Sequence, residues 1–267
     1  MKNPEQYIPE LKKLVRQAGN ELMRIYRKDG DVAVELKEDD SPVTIADLRS
    51  NEILVNGLKA LDNSIPIISE ENKSIPFDER KNYERFWIID PLDGTKEFIK
   101  ELDEFTIHLA LVEQNKVVLG IIYAPVTEEL YYAWEGGGSW ISLNGEDKRL
   151  AGHAVDFRLS RLRIMRSRSN LDPLTMEYIE RFDKPELITL GSGLKFVQLI
   201  NGQADYYPRA RTYMKEWDIA PAQIILEEAG GGIYQWDADE PLQYNKKELT
   251  VKGFRAVSLA EQINEQL

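Results

Sequence analysis

Residues 87–97 read WIIDPLDGTKE, and how this stretch is understood decides how the rest of the chain is read. An apolar run drives into Asp90, Pro91, Leu92, Asp93, Gly94 and Thr95. A solvent turn would account for the proline and the glycine. It accounts less well for two carboxylates at the end of what reads as a buried strand, because like charges in a partly dry cleft repel and call for a proton or a bound cation. Pro91 fixes the chain direction and Gly94 permits a tight turn. Asp90 and Asp93 can then face one another, with the Leu92 carbonyl between them as a further oxygen ligand. Thr95 and Lys96 begin a short helical turn whose unpaired N–H groups suit a phosphate oxygen.

Working outward, other acids also fall at element ends. Glu70 and Glu71 close the strand-like SIPIISEEN (64–72), and Asp218 opens the helix WDIAPAQIILEEAGG (217–231), with Pro221 expected in its first turn and Gly230 beyond its end. The apolar spacing predicts an amphipathic helix over residues 4–28 and a second over 45–61, with Asp47 in its first turn. Residues 105–134 read as three antiparallel strands, while GGGS (136–139) and NG (144–145) read as turn chemistry rather than a phosphate cradle. From about residue 150, strands and helices alternate. The expected organisation is an α+β half (1–150) carrying the acidic motif and an α/β half (151–267), the two sharing an extended interface.

Composition narrows the chemistry. There are no cysteines, which removes disulfides, thiolate nucleophiles and iron–sulfur clusters. The two histidines do not support a Ser-His-Asp triad: His108 lies in a strand and is expected to pack or hydrogen-bond there, and His153 is expected to be exposed. A net charge of −12 disfavours DNA, RNA and anionic membranes as partners. It would also repel a phosphorylated small molecule unless bound cations reverse the sign locally. All-oxygen coordination points to magnesium or a similar hard ion. No stretch is long enough to span a bilayer and the N-terminus lacks a signal-peptide core, so the expected compartment is the cytoplasm, with attachment to the inner face of the membrane left open.

DPLDGTKEF, the upstream SEE and the distant WDIAPAQIILEEAGG together resemble the inositol monophosphatase superfamily of metal-dependent, lithium-sensitive phosphatases. Further stretches, SPVTIAD, EFT, GIIYAPV, SRS, GSGLKF and GQADYYPR, resemble the 3'(2'),5'-bisphosphate nucleotidases of the CysQ type, over residues 8–255. The resemblance implies a layered αβαβα sandwich. It implies that Glu70, Asp90, Asp93, Asp218 and the Leu92 carbonyl bind two or three magnesium ions, and that Thr95 and Asp47 position and deprotonate the attacking water, with Thr44 as an outer partner and Glu70 also in the catalytic set. Water would attack phosphorus in line, without a phospho-enzyme. The substrate phosphate would meet Glu70, Leu92, Asp93, Gly94, Thr95 and Asp218.

For a second phosphate the same resemblance implies Ser167, Asn170 (where the family usually has histidine), Gly191 and Lys195, with Arg209 as a further candidate. Five arginines within residues 158–168 are either a solvated strand and loop or a basic wall for that phosphate. Lys96 is either a surface residue or close to phosphate, and Trp87 and Trp217 are expected to be core anchors. The activity expected is removal of the 3'-phosphate of adenosine 3',5'-bisphosphate, the by-product of sulfate activation, and of its sulfated precursor, by a monomer or homodimer. The alternatives are an inositol monophosphatase or broad sugar phosphatase, and a non-catalytic nucleotide sensor. The sensor would have lost a metal ligand or the threonine, and this sequence has lost neither.

Overall fold

The computed structural model describes residues 2–26, 34–36, 42–153, 155, 157, 161–168 and 172–259. After a 3₁₀ turn at Pro4–Tyr7 come α1 (Ile8–Tyr26), β1 (Val34–Leu36), β2 (Pro42–Thr44), α2 (Ile45–Leu61), β3 (Ile67–Ser69), α3 (Phe77–Arg80), β4 (Arg85–Asp93) and α4 (Thr95–Ile99). A meander follows through β5 (Thr106–Glu113), β6 (Lys116–Ala124), β7 (Glu129–Trp134), β8 (Gly138–Leu143) and β9 (Glu146–Leu150). The chain then runs through β10 (Arg163–Ser167), α5 (Pro173–Ile179), β11 (Glu186–Leu190), α6 (Leu194–Ile200), β12 (Tyr206–Arg209), α7 (Glu216–Ala229), β13 (Gly232–Gln235) and β14 (Phe254–Val257).

Strands β3 to β9 form one seven-stranded sheet in chain order, with β3 parallel to β4 and the rest antiparallel. A five-stranded mixed sheet has the order β11-β10-β12-β14-β13. Side-chain alternation along each strand sorts the core into layers. On β4, Trp87 and Ile89 face Leu11, Val15, Leu54 and Leu58 of α1 and α2, whereas Phe86 and Ile88 face the opposite way, toward α6 and α7. The second sheet closes that inner helical layer with Met165, Tyr207, Phe254 and Ala256, and its outer face packs Ile164 and Tyr206 against Ile179 of α5. The order is therefore helices, sheet, helices, sheet, helix, the layered mixed α/β sandwich anticipated above.

Helix α7 crosses the inner layer with Ile219, Ile224, Ile225 and Leu226 all buried. Each such side chain is worth about 1.5–3 kcal/mol on burial, so the helix carrying Asp218 is held firmly in place. Gly120 is where β6 meets it: a Cβ there would come within 2.6 Å of the Pro221 carbonyl. Pro221 sits at the sixth position of α7 rather than in its first turn, where it removes the N–H that the Trp217 carbonyl would otherwise accept.

Two boundaries differ from the sequence reading. β4 does not stop at Asp90: its ladder to β5 is interrupted by a register shift and resumes at Asp93 opposite Thr106, because Pro91 cannot donate to the ladder. The residues flanking the Asn144–Gly145 turn are strands, not loop. Both turn residues have positive φ, the signature of a two-residue hairpin, and Glu146–Leu150 escapes notice because it is a charged edge strand. No helix of the described residues is long and apolar enough to cross a membrane.

Candidate active site

Five segments from both halves of the chain meet at one end of the large sheet. Helix α2 ties the first three together through hydrogen bonds. Ser50 Oγ donates to the Pro91 carbonyl at 2.7 Å, and Asn51 accepts from Ser69 Oγ at 2.7 Å while donating to Asn72 at 2.9 Å, fixing the strand ends that carry Asp90 and Glu70. Gly94 then turns the chain into α4 with φ of +98°, and a Cβ there would lie 2.7 Å from the Glu104 carbonyl, so the turn requires glycine.

Carboxylate oxygens of Glu70, Asp90 and Asp218 lie within 4.8 Å of one another. Asp90 is anchored by the Leu92 N–H at 3.0 Å, Asp218 by the Lys215 N–H at 2.8 Å and Glu70 by the Trp217 indole at 3.1 Å. Asp93 stands beside the trio and accepts Ser192 Oγ at 2.8 Å. Burial raises the pKa of Asp90 well above the carboxylate range, reinforced by Glu70, Asp93 and Asp218. Asp218 is raised by burial and then by Asp93 and Glu70. Clustered carboxylates driven to hold protons fit a hard divalent cation, which would displace those protons.

That electrostatic frustration has a measurable consequence. Carboxylates whose pKa rises on folding stabilise the native state below the ordinary carboxylate range and withdraw that stability as pH climbs through the raised values. Cation-free protein should therefore lose melting temperature as pH rises above the carboxylate range. A saturating hard divalent cation, with magnesium as the probe, should restore it, with a larger gain at higher pH; at a hundredfold excess over Kd the gain is about 2.7 kcal/mol, or several degrees for a chain of this size. Thermal denaturation with chelator and with magnesium across pH checks this, and a magnesium shift that shrinks toward high pH would contradict it.

Beside the cluster, Thr95 Oγ1 donates to Asp47 Oδ1 at 2.9 Å and lies 3.3 Å from the Leu92 carbonyl. Asp47 does not reach the cavity wall. It is 1 % exposed, and its other oxygen accepts the Thr44 N–H at 2.7 Å and the Thr44 hydroxyl at 2.6 Å, a capping box at the start of α2. Burial raises the pKa of Asp47 despite these hydrogen bonds. Asp47 is thus linked to the cavity by its hydrogen bond from Thr95, which lines it.

A cavity of about 250 Å³ opens above these groups, lined by Glu70, Asp90, Leu92, Asp93, Gly94 and Thr95 together with Ser167, Gly191, Lys195 and Arg209. Asp218 also lines it; Lys96 does so too while remaining exposed. Asn170 lies outside the described residues. The basic-wall reading of residues 158–168 is not supported: Arg163 pairs with Asp205, Arg166 donates to Thr189, Arg168 pairs with Glu104, and no described arginine of that segment lines the cavity. Strand alternation turns Ser167 inward and its basic neighbours away.

Ser192 is a contributor that the sequence reading missed. Its φ is +54°, and its hydroxyl bridges the Asp93 carbonyl, the Asp93 carboxylate and Thr106 Oγ1, all at 2.7–2.8 Å. Lys195 Nζ in turn donates to the Ser192 carbonyl. One strained residue thus links Asp93 to Lys195. Gly193 follows with no room for a side chain, since a Cβ would meet His108 Nε2 at 2.1 Å. His108 is fully buried beneath the site, bonded to Thr106, and burial lowers its pKa. Trp87 is a core residue as expected, while Trp217 both packs in the core and orients Glu70. His153 is not exposed: it is half-buried and hydrogen-bonded to Asp205 at 3.1 Å.

Residues 3–267 match the inositol monophosphatase family. The chain belongs to that family. It is 38% identical over 243 residues to the 3'(2'),5'-bisphosphate nucleotidase CysQ of Salmonella typhimurium, covering 91% of this chain and 96% of the relative. Its fold superimposes on the crystal structure of CysQ from Bacteroides thetaiotaomicron with a TM-score of 0.81 at 33% identity, covering 96% of this chain and 98% of the other. The Thermotoga maritima IMPase is similar with a TM-score of 0.78 at 28% identity, over 98% and 94% of the two chains. The inositol monophosphatase family is metal-dependent, in keeping with an acidic cluster able to hold a metal.

Proposed function

We propose that this protein is a magnesium-dependent 3'(2'),5'-bisphosphate nucleotidase that hydrolyses the 3'-phosphate of adenosine 3',5'-bisphosphate, and acts on its sulfated precursor, in the cytoplasm. The kinship with two CysQ proteins supports the reading. The observation that carries it is a pair of buried cations on the cavity that also holds the acids. Lys195 and Arg209 are each 5 % exposed, line that cavity, and have no ion-pair partner among the described residues. Buried cations facing a cavity favour an anion there. A substrate with two phosphates suits both the acidic cluster with its cation and these two side chains.

Magnesium held by Glu70, Asp90, Asp93, Asp218 and the Leu92 carbonyl would supply Lewis acidity toward the scissile phosphate. On this reading the Thr95 hydroxyl donates its hydrogen bond to Asp47, which turns its lone pairs to the cavity. It accepts a hydrogen bond from the attacking water, and as it takes the water's proton it passes its own to Asp47. Ser192 keeps Asp93 oriented, and Trp217 keeps Glu70 oriented. Ser167, Lys195 and Arg209 hold the 5'-phosphate.

One observation favours the alternative, an inositol or sugar monophosphatase: Glu97 also lines the cavity and would suit ring hydroxyls. Hydrolysis of adenosine 3',5'-bisphosphate and of inositol 1-phosphate by the purified protein with magnesium separates the two. A preference in kcat/KM of about a hundredfold or more for the nucleotide is expected, the order that polar-site complementarity supplies. Equal rates, or preference for the inositol ester, would overturn the nucleotidase assignment. Phosphate release from neither ester would point to a nucleotide sensor instead.

A further inference from the structure

Tyr213 lines the same cavity, yet its side chain has no assigned role there. It is 86 % exposed, while the next most exposed large apolar residue, Leu48, is 45 % exposed. Single exposed aromatics are ordinary on protein surfaces, so exposure alone decides nothing. What sets Tyr213 apart is the rigidity of the loop that presents it.

That loop joins β12 to α7. The Ala210 N–H donates to Thr175 Oγ1 at 2.8 Å and the Arg211 N–H to Asp172 at 3.0 Å. The Thr212 N–H donates to the Lys252 carbonyl at 3.1 Å, and the Met214 carbonyl accepts from the Val251 N–H at 2.8 Å. Thr212 is 7 % exposed, and Met214 packs against the central core. Every residue around Tyr213 is thus tied down or buried, and only the tyrosine is turned out. Among the described residues it has no hydrogen-bond, ion-pair or ring partner. Buried Arg209, read above as a 5'-phosphate contact, is only four residues away in the chain and lines the same cavity.

We infer that Tyr213 is a specificity-determining residue whose ring stacks on the nucleobase of the substrate. The inference rests on the nucleotidase reading and extends it from the phosphates to the base. A ring with two side-chain torsions on a pinned loop offers a large flat surface at small entropic cost. Every base has a π-face, so the contact selects nucleotides over base-free phosphates without choosing strongly among bases.

The test compares wild type, Tyr213→Ala and Tyr213→Phe on three substrates: adenosine 3',5'-bisphosphate, methyl ribofuranoside 3,5-bisphosphate, which lacks the base, and inositol 1-phosphate. Tyr213→Ala should lower kcat/KM on the nucleotide by about 5- to 100-fold, mainly through KM, the range for losing one stacked base. Tyr213→Phe keeps the ring and should stay within about twofold. Neither variant should change the rate on the base-free bisphosphate. At so exposed a position, folding should be unaffected. If wild type prefers the nucleotide but Tyr213→Ala leaves it unchanged, or lowers both bisphosphates equally, the stacking role is overturned. If wild type prefers inositol 1-phosphate, it is the nucleotidase reading that fails.

Discussion

Asp90→Asn is expected to abolish cation binding and turnover together while making the cation-free protein more stable. Asp90 is 2 % exposed, its pKa is pushed up first by burial and then by three acidic neighbours, and it accepts a hydrogen bond from the Leu92 N–H. An amide oxygen can accept that same N–H without bringing a fourth charge into the cluster. Removing the charge therefore relieves repulsion in the empty site, where a buried unpaired charge is costly. The same change removes one of the three clustered carboxylates able to hold a metal ion. Substitutions of groups that only orient metal ligands typically lose 10- to 100-fold in affinity or activity, so loss of a direct ligand should exceed about 100-fold. Calorimetry should register weakened magnesium binding, and thermal melts in chelator should register a raised melting temperature. A variant less stable than wild type without metal would mean that Asp90 is a structural acid, and the metal-site assignment would need to be withdrawn.

That opposition between stability and function explains why so much of the site is legible in the sequence. Charged residues at the ends of apolar strands break the local rules of burial, and such breaks collect at functional sites. Asp90, Asp93, Glu70 and Asp218 each stand out against an apolar neighbourhood, and the cavity gathers all four. The layers came from the family resemblance rather than from the residues: RFWIID is a continuous apolar run, and only its pairing in the sheet divides Trp87 and Ile89 from Phe86 and Ile88 between two cores.

Other features carried no such mark. Ser192 reads as an ordinary loop serine. Its importance depends on a left-handed backbone and on two partners, Thr106 and Asp93, 86 and 99 residues distant, which no local pattern encodes. The arginine-rich segment misled in the opposite way. A run of positive charge is compatible with a binding wall, but Asp205 and Glu104, which pair with Arg163 and Arg168, come from distant parts of the chain. The strand β9 was hidden because an edge strand needs no apolar face and benefits from charge. Asp47 shows a subtler limit: its place in the first turn of α2 was legible, but that it would be screened from the cavity by Thr95 was not.

This screening yields the other large expected effect. Thr95→Ala should lower kcat by about 10²- to 10⁴-fold, the span for removing a proton-transfer group, with magnesium affinity close to wild type. The hydroxyl bridges Asp47 and the Leu92 carbonyl without belonging to the acidic trio, so its loss leaves the cation-holding carboxylates in place. Thr95→Ser retains the hydroxyl and should recover most of the activity. Asp47→Asn should resemble Thr95→Ala, because Asp47 reaches the water only through that hydroxyl. An asparagine at 47 can still accept the Thr44 N–H that caps α2, so the fold should survive. If the two residues form one relay, the double variant should be scarcely slower than either single one, since groups acting as a unit are far from additive. Multiplicative losses would mean that Asp47 and Thr95 act independently, and a Thr95→Ala enzyme with near wild-type kcat would remove Thr95 from the chemistry altogether.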